Sequence, residues 1–228
     1  MKPVIKQAKE KEIEYFENKL YPLQDTILEL IDNESFYLSG GTCLSRYYYN
    51  HRYSEDMDFF FDGNVKPVNQ FEKEFVEYVS KIKKEFEVEV TISDGYFKRL
   101  FIVKDDISLK VEFIYEPYPR IGNLINNKNF LIDSKENIAV NKLTAAYTRK
   151  TAKDFFDLYF LLEEFELFVL LKKTGMKLVT PAYEKLILSL QHDFFEGEVI
   201  TTKQIDEEKF VNFVDKLIND MLEYAKQS

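Results

Sequence analysis

Tryptophan is absent from this 228-residue chain, cysteine occurs once and histidine twice, and only seven glycines and six prolines interrupt it. A single cysteine, Cys43, excludes an internal disulfide and any multi-cysteine zinc site, and suits a reducing compartment. It reads as a small buried filler rather than a reactive thiol. The scarcity of glycine and proline argues against a loop-rich or fibrous chain and for long regular elements, many of them helices. No apolar run approaches the roughly 18 residues needed to span a bilayer, and the opening "MKPVIKQAKEKEIEYF" lacks a signal-peptide core. The expected setting is the cytoplasm, without membrane contact.

What is present is a core-forming composition, 45% hydrophobic with 21 Phe and 15 Tyr, alongside 31% charged residues. That reads as a soluble globular protein with one sizeable core or two small ones. The net charge of −9 discourages a simple nucleic-acid binder. The charge is uneven, however. Between Thr91 and Lys153 eleven Lys/Arg face seven Asp/Glu, a local balance of +4 that leaves −13 for the remainder. An acidic body with a basic middle is compatible with a phosphate-rich substrate.

Helical spacing runs from about Ile5 to Lys19, and "LQDTILELI" predicts a second short helix after Pro22. "FYLSG" then reads as a short strand, "TCLSRYYY" as a helix and "DMDFFFD" as a strand. Pro67 opens a long amphipathic helix to about Phe86, with Phe71, Phe75, Tyr78, Val79 and Ile82 on its inner side. Three β-like runs follow, "EVEVTIS", "FKRLFIVK" and "ISLKVEFIY", with separators short enough to close antiparallel hairpins. After the connection "EPYPRIGNLINNKNF" the β signal ends. Asp133 with Glu136 suggests a capping box ahead of the helix "ENIAVNKLTAAYTRK". Further helices are predicted at "AKDFFDLYFLLEEF", "PAYEKLILSLQHDFF" and "DEEKFVNFVDKLINDMLEYAKQS", the last with Phe210, Phe213, Val214, Leu217 and Met221 on one face. An α/β half to about Tyr118 therefore precedes a helical half.

The stretch "GGTCLSRYYYNHRYSEDMDFFFD" carries the chemistry. On a strand, side chains two apart share a face, so Asp56 and Asp58 present two carboxylates side by side while Met57 points away. Such a pair suits a hard divalent cation, Mg2+ (or Mn2+), which takes oxygen ligands and usually arrives with phosphate oxygens. Gly40 and Gly41, between a strand and a helix, expose backbone amides at a positive helix end, an anion site to which Thr42 adds a hydroxyl. Glu112, between Val111 and Phe113, joins the metal site if its strand neighbours that of Asp58 and is a solvated residue otherwise.

The order Gly40-Gly41-Thr42, Leu44-Ser45, His51-Arg52, Ser54, Asp56-x-Asp58, then Lys142-x-x-Ala145 and Lys153-Asp154-x-x-Asp157-Leu158-Tyr159, resembles the AbiEii/AbiGii-type nucleotidyltransferase toxins of the polymerase-β-like superfamily. The resemblance spans roughly Phe36 to Leu162. It implies an α+β fold, a nucleotidyltransferase-type mixed β-sheet core flanked by helices and followed by a C-terminal helical bundle. The implied domains are residues 1–125, an α/β nucleotidyltransferase domain with N-terminal helices, and 126–228, a bundle contributing to the active-site cleft. The implied activity is metal-dependent transfer of an NMP from an NTP to an RNA acceptor, the 3′ end of tRNA, by the toxin of a type IV toxin-antitoxin or phage-defence system. A cognate antitoxin need not touch such a toxin.

By this carry-over Asp56 and Asp58 hold Mg2+, with Glu112 as third carboxylate. Gly40, Gly41, Thr42, Ser45 and Arg52 bind nucleotide, Lys142 binds phosphate, and Asp154 or Asp157 completes the catalytic set. The general base is Asp154 or Glu112. Plainer readings stand beside these: Arg52 pairs with Asp154 or Asp157, His51 is a hydrogen-bonded structural residue, His192 is structural, and at least one of Tyr47 to Tyr49 faces the core. Lys98, Arg99, Lys104, Arg120, Arg149 and Lys150 are ordinary surface charges or track an RNA backbone. A sugar-nucleotide-dependent glycosyltransferase also uses Asp-x-Asp, and a non-catalytic nucleotide-binding module is the third alternative.

Overall fold

The computed structural model describes residues 3–31, 35–147, 149–177 and 195–227. The chain divides into two compact units built from interleaved segments: Lys9–Tyr47 with Ser54–Ser134, and Met1–Ala8 with Tyr48–Tyr53 and Lys135–Ser228.

The first unit is an α/β assembly around a seven-stranded mixed sheet. Its strands are β2 (Phe36–Ser39), β3 (Met57–Asp62), β4 (Glu87–Ser93), β5 (Phe97–Lys104), β6 (Ile107–Glu116), β7 (Ile125–Asn127) and β8 (Phe130–Ile132), in the order β4-β5-β6-β3-β2-β8-β7. The β3–β6 and β2–β8 pairs are parallel and the others antiparallel. The three β-like runs from Glu87 onward thus form the expected antiparallel strands.

Alternation assigns the two faces of the sheet. Met57, Phe59 and Phe61 of β3 and Leu109, Val111 and Phe113 of β6 are all buried. Helix α4 (Val68–Ile82) lays Phe71, Phe75, Tyr78, Val79 and Ile82 over the sheet, the five positions its sequence spacing predicts. Phe113 sits at the centre, its ring 5.1 Å from Phe36, 5.3 Å from Phe75, 5.4 Å from Phe59 and 5.6 Å from Tyr78. The Tyr78 hydroxyl donates to the Ile27 carbonyl at 2.8 Å, which ties α4 to α2 (Tyr21–Leu30).

Two expectations fail in the same way. The predicted helix from Ile5 does not begin there: Val4–Gln7 is a strand, β1, paired in parallel with β9 (Glu198–Thr201). Backbone pairing across the length of the chain outweighs local helical spacing in these four residues. The helix α1 starts only at Glu10, with the Glu12 carboxylate accepting the Lys9 amide at 2.9 Å. Nor does the β signal end after "EPYPRIGNLINNKNF", because β7 and β8 form a short hairpin turning at Lys128 (φ +60°). Three-residue strands in an Asn-rich segment leave too little alternation to read.

The second unit is mainly helical: α5 (Lys135–Ala146), α6 (Ala152–Leu161), α7 (Leu167–Thr174) and α8 (Glu207–Gln227), with the β1–β9 pair. Val140, Leu143, Phe155, Phe156, Leu158, Leu161, Phe210, Val214, Leu217 and Met221 form its core. Residues 48–53 strap onto β9, with the Tyr53 amide donating to the Ile200 carbonyl at 2.8 Å and the Thr202 hydroxyl donating to the Asn50 carbonyl at 2.6 Å. The predicted helix "PAYEKLILSLQHDFF", apart from its last residue, lies outside the described residues, as does His192. No described helix is long and apolar enough to cross a membrane.

Candidate active site

The core face of β3 and β6 takes the apolar positions, so the intervening residues fall on the opposite face. Asp58 and Glu112 are register partners on these parallel strands, and Arg99 of β5 is the antiparallel partner of Glu112. Lys110, two residues before Glu112, shares its face. Four charged side chains are therefore juxtaposed by strand pairing alone. Asp56 lies just before β3.

The cations are engaged by the carboxylates. Lys110 Nζ lies 2.8 Å from Asp56 Oδ2 and 3.6 Å from Glu112 Oε1, while Arg99 Nη2 lies 2.7 Å from the same Glu112 oxygen. Burial by itself depresses the Lys110 pKa, but the hydrogen bond it donates to Asp56 and the charges of Asp56, Glu112 and Asp58 outweigh it and hold the ammonium above its ordinary value. Lys110 stays charged. Among the described residues no three His, Cys, Asp or Glu side chains converge as a metal-ligand cluster.

Gly40 is set by two constraints. Its φ is +68°, a left-handed conformation that a side chain disfavours, and a Cβ there would run into the Asp58 carboxylate. The glycine thus lets the Asp58 carboxylate lie directly against the backbone that opens α3 (Gly40–Leu44). Behind it, the Ser39 hydroxyl donates to Asp133 Oδ2 at 2.6 Å, and Asp133 Oδ1 accepts the Ser134 amide at 2.9 Å.

Thr42 fixes the approach to β3. Its hydroxyl donates to the Asp56 carbonyl, and because one hydroxyl has one proton, the 2.9 Å contact with Ser54 Oγ is donated by Ser54. Thr42 is buried, as are Gly41, Cys43 and Ser45. Burial raises the Cys43 thiol pKa well above normal, in keeping with the filler reading.

The remaining candidates gather inside the helical unit. Asp157, fully buried, accepts Arg52 through both oxygens, Nε to Oδ1 at 2.7 Å and Nη2 to Oδ2 at 2.9 Å. His51 Nε2 stands 2.8 Å from Oδ1 and Lys142 Nζ 2.7 Å from Oδ2. Lys142 also reaches Asp154 Oδ1 at 2.7 Å, and Asp154 accepts Arg149 and Thr151 on its other oxygen. Arg52 thus makes the carboxylate pairing, with Asp157.

Burial works to raise both aspartate pKa values, but neighbouring cations win. Lys142 and Arg149 bring Asp154 down to about 2, and Arg52 and Lys142 hold Asp157 well below the carboxylate range. Burial likewise depresses Lys142, yet Asp154 and Asp157 leave it raised. For His51 burial dominates and lowers the pKa, so the ring is neutral at pH 7 and donates from Nε2. It stacks on Phe156 at 5.6 Å, and its Nδ1 has no hydrogen-bond partner among the described residues.

A family description, nucleotidyl transferase AbiEii toxin of a type IV toxin-antitoxin system, matches residues 23–224. The chain belongs to the AbiEii family of nucleotidyltransferases. An uncharacterized protein of Aquifex aeolicus (strain VF5) is 31% identical over 132 residues, 57% of this chain, and the chain spans 58% of that relative's length. The fold likeness extends further. JHP933 from Helicobacter pylori gives a TM-score of 0.61 at 21% identity, covering 92% of this chain and 93% of that one. MenT4, a nucleotidyltransferase toxin from Mycobacterium tuberculosis H37Rv, gives 0.61 at 19% identity, covering 89% and 82%. The mixed sheet flanked by helices is the nucleotidyltransferase-toxin fold. Membership points to nucleotidyl transfer rather than sugar-nucleotide chemistry.

Within this AbiEii chain the α/β unit brings together Asp56, Asp58 and Glu112 with Gly40, Gly41 and Thr42, and the helical unit brings together Arg52, Lys142, Asp154 and Asp157. Lys110 is absent from the candidates that the sequence singles out, and Arg99 figures among them as a surface charge or an RNA-backbone contact, not as a partner of Glu112. The signal for Lys110 was available: in "LKVEF" it stands two residues before Glu112, the same spacing that ties Asp56 to Asp58.

Proposed function

We propose that this protein transfers an NMP from an NTP to the 3′ end of tRNA, dependent on Mg2+ (or Mn2+), and acts as the toxin of a type IV system. The observation that carries the site assignment is the in-register pairing of Asp58 with Glu112, beside Asp56 and against the Gly40 backbone.

The donor set fits a hard cation in a particular way. All the donors are carboxylate oxygens, and no closed protein cage exists among the described residues. Mg2+ prefers this arrangement: one or two carboxylates, with phosphate oxygens and water filling the other positions. The close contact between Asp58 and Gly40 leaves this carboxylate little freedom to swing. Asp56 and Asp58 would hold the ion, which when bound would neutralise charge on the triphosphate.

The protein's own groups supply the rest. The Gly40-Gly41 backbone accommodates phosphate oxygens, and Thr42 and Ser54 hold the loop that presents Asp56. Arg99 and Lys110 are the cations nearest the carboxylates and stabilise phosphate charge as it shifts toward the leaving group. The candidate bases are Glu112, in register with Asp58, and Asp154, each ion-paired to a cation. Within the helical unit Asp154 and Asp157 hold the buried Lys142 and Arg52 in place.

The test is incorporation of each labelled NTP into total RNA by purified protein with Mg2+. Labelling of tRNA by one or more nucleotides, abolished by EDTA, is the expected result. No labelling with any of the four nucleotides across a broad RNA set refutes the reading. Labelling of another RNA class refutes the tRNA assignment alone.

A further inference from the structure

We propose that Lys110 is an internal counter-ion, an ammonium that occupies the carboxylate site in the resting protein and competes with a divalent cation for Asp56. This rests on the metal reading above and adds an element of control to it.

The argument begins with charge. Strand pairing fixes Asp58 beside Glu112, with Asp56 two residues earlier, and carboxylates crowded this way repel one another. Something must offset that repulsion for the apo protein to fold with the site intact. Lys110 does so: its Nζ lies 2.8 Å from Asp56 and 3.6 Å from Glu112. Arg99 is different in kind. It holds Glu112 alone, from the neighbouring strand.

The burial of Lys110 suits a group that moves. Its side chain is 29% exposed and that of Asp56 40%, so the ammonium can leave into solvent along a flexible stem. The buried Lys142, 10% exposed between two aspartates, has no such freedom. Lys110 and an ion at the Asp56 oxygens repel each other as like charges, so each binds more weakly when the other is present. An ion arriving with a nucleotide offers the displaced ammonium phosphate oxygens in exchange, whereas a bare ion offers nothing. Lys110 therefore biases the site against free divalent ions and toward the ion–nucleotide complex.

The consequence runs against ordinary expectation for a lysine beside a metal site. In calorimetric titration of Mn2+ into nucleotide-free protein, Lys110→Met should bind the ion roughly three- to tenfold more tightly than wild type, the scale set by one partly exposed ion pair. Lys110→Arg, which keeps the charge, should stay near the wild-type constant, and Lys110→Gln should follow Lys110→Met. Methionine retains the apolar stem, and Arg99 still compensates Glu112, so both neutral variants should fold. A lysine that merely supports the sheet would shift melting without tightening Mn2+ binding. Measurable uptake by wild type with an unchanged or weaker constant in both neutral variants overturns the counter-ion role and leaves the metal assignment standing. Absence of Mn2+ uptake by every variant, in the presence of each NTP as well, overturns the metal reading and this inference with it.

Discussion

Asp157→Asn separates a positioning role from a dispensable one, because the substitution removes one charge and almost no volume. Asp157 is fully buried and takes hydrogen bonds from Arg52, His51 and Lys142. Two unit charges about 4 Å apart at an effective dielectric near 20 attract by about 4 kcal/mol, so two cations give a gross attraction of about 8. Against that stands the cost of keeping the Asp157 carboxylate out of water, several kcal/mol, which the asparagine does not incur. Arg52 and Lys142 keep their own burial but lose a carboxylate. The net expectation is about 3 to 5 kcal/mol of lost stability, the range for breaking one side of a buried pair. For a chain of this size each kcal/mol moves the melting temperature by roughly 2 to 4 °C, so Tm should fall by about 6 to 20 °C. Differential scanning calorimetry at pH 7 measures this directly, with far-UV circular dichroism confirming a folded start. A drop below about 2 °C refutes the reasoning, since the four contacts would then carry no net energy.

Asp58→Asn should lower nucleotide transfer by at least about 100-fold, the scale of losing one charge-stabilising group, while leaving Tm within a few degrees; undiminished transfer removes Asp58 from the site. Gly40→Ala should cost about 1 to 2 kcal/mol in left-handed strain, roughly 2 to 8 °C in Tm, and displace the Asp58 carboxylate enough to cut transfer about 100-fold. Wild-type melting followed against pH should show two acid limbs. His51 has a folded pKa below its unfolded value, so its share of stability is complete above about 6.5 and is lost as pH falls from there. Asp154 and Asp157 are depressed from about 3.9, so their share is complete above that value and lost below it, about 2 to 3 kcal/mol for Asp154 by pH 2. His51→Phe should flatten the upper limb alone, and an unchanged upper limb shows that His51 does not carry it.

The elements legible from sequence were those with long, regular patterns. The alternation of "DMDFFFD" and "ISLKVEFIY" fixes which residues face the core, and α4 shows its buried stripe in five apolar positions. The elements that escaped are short and paired at a distance: β1 with β9, and the β7–β8 hairpin. A four-residue strand whose partner lies almost two hundred residues away leaves no local trace, because its stability comes from the partner.

The site divides along the same line. Sequence alone determined that Asp56 and Asp58 lie two apart at a strand, that Gly40 and Gly41 stand where a strand turns into a helix, and that Glu112 faces away from its apolar neighbours. These follow from backbone periods of about two and 3.6 residues, which are local properties. Only the tertiary structure decided that Glu112 is the register partner of Asp58, that Lys110 and Arg99 neutralise the carboxylates, and that Asp157 binds Arg52 across 105 positions of sequence. Strand order and helix docking are set by the summed burial of many side chains, so no short window of sequence encodes which charges will meet.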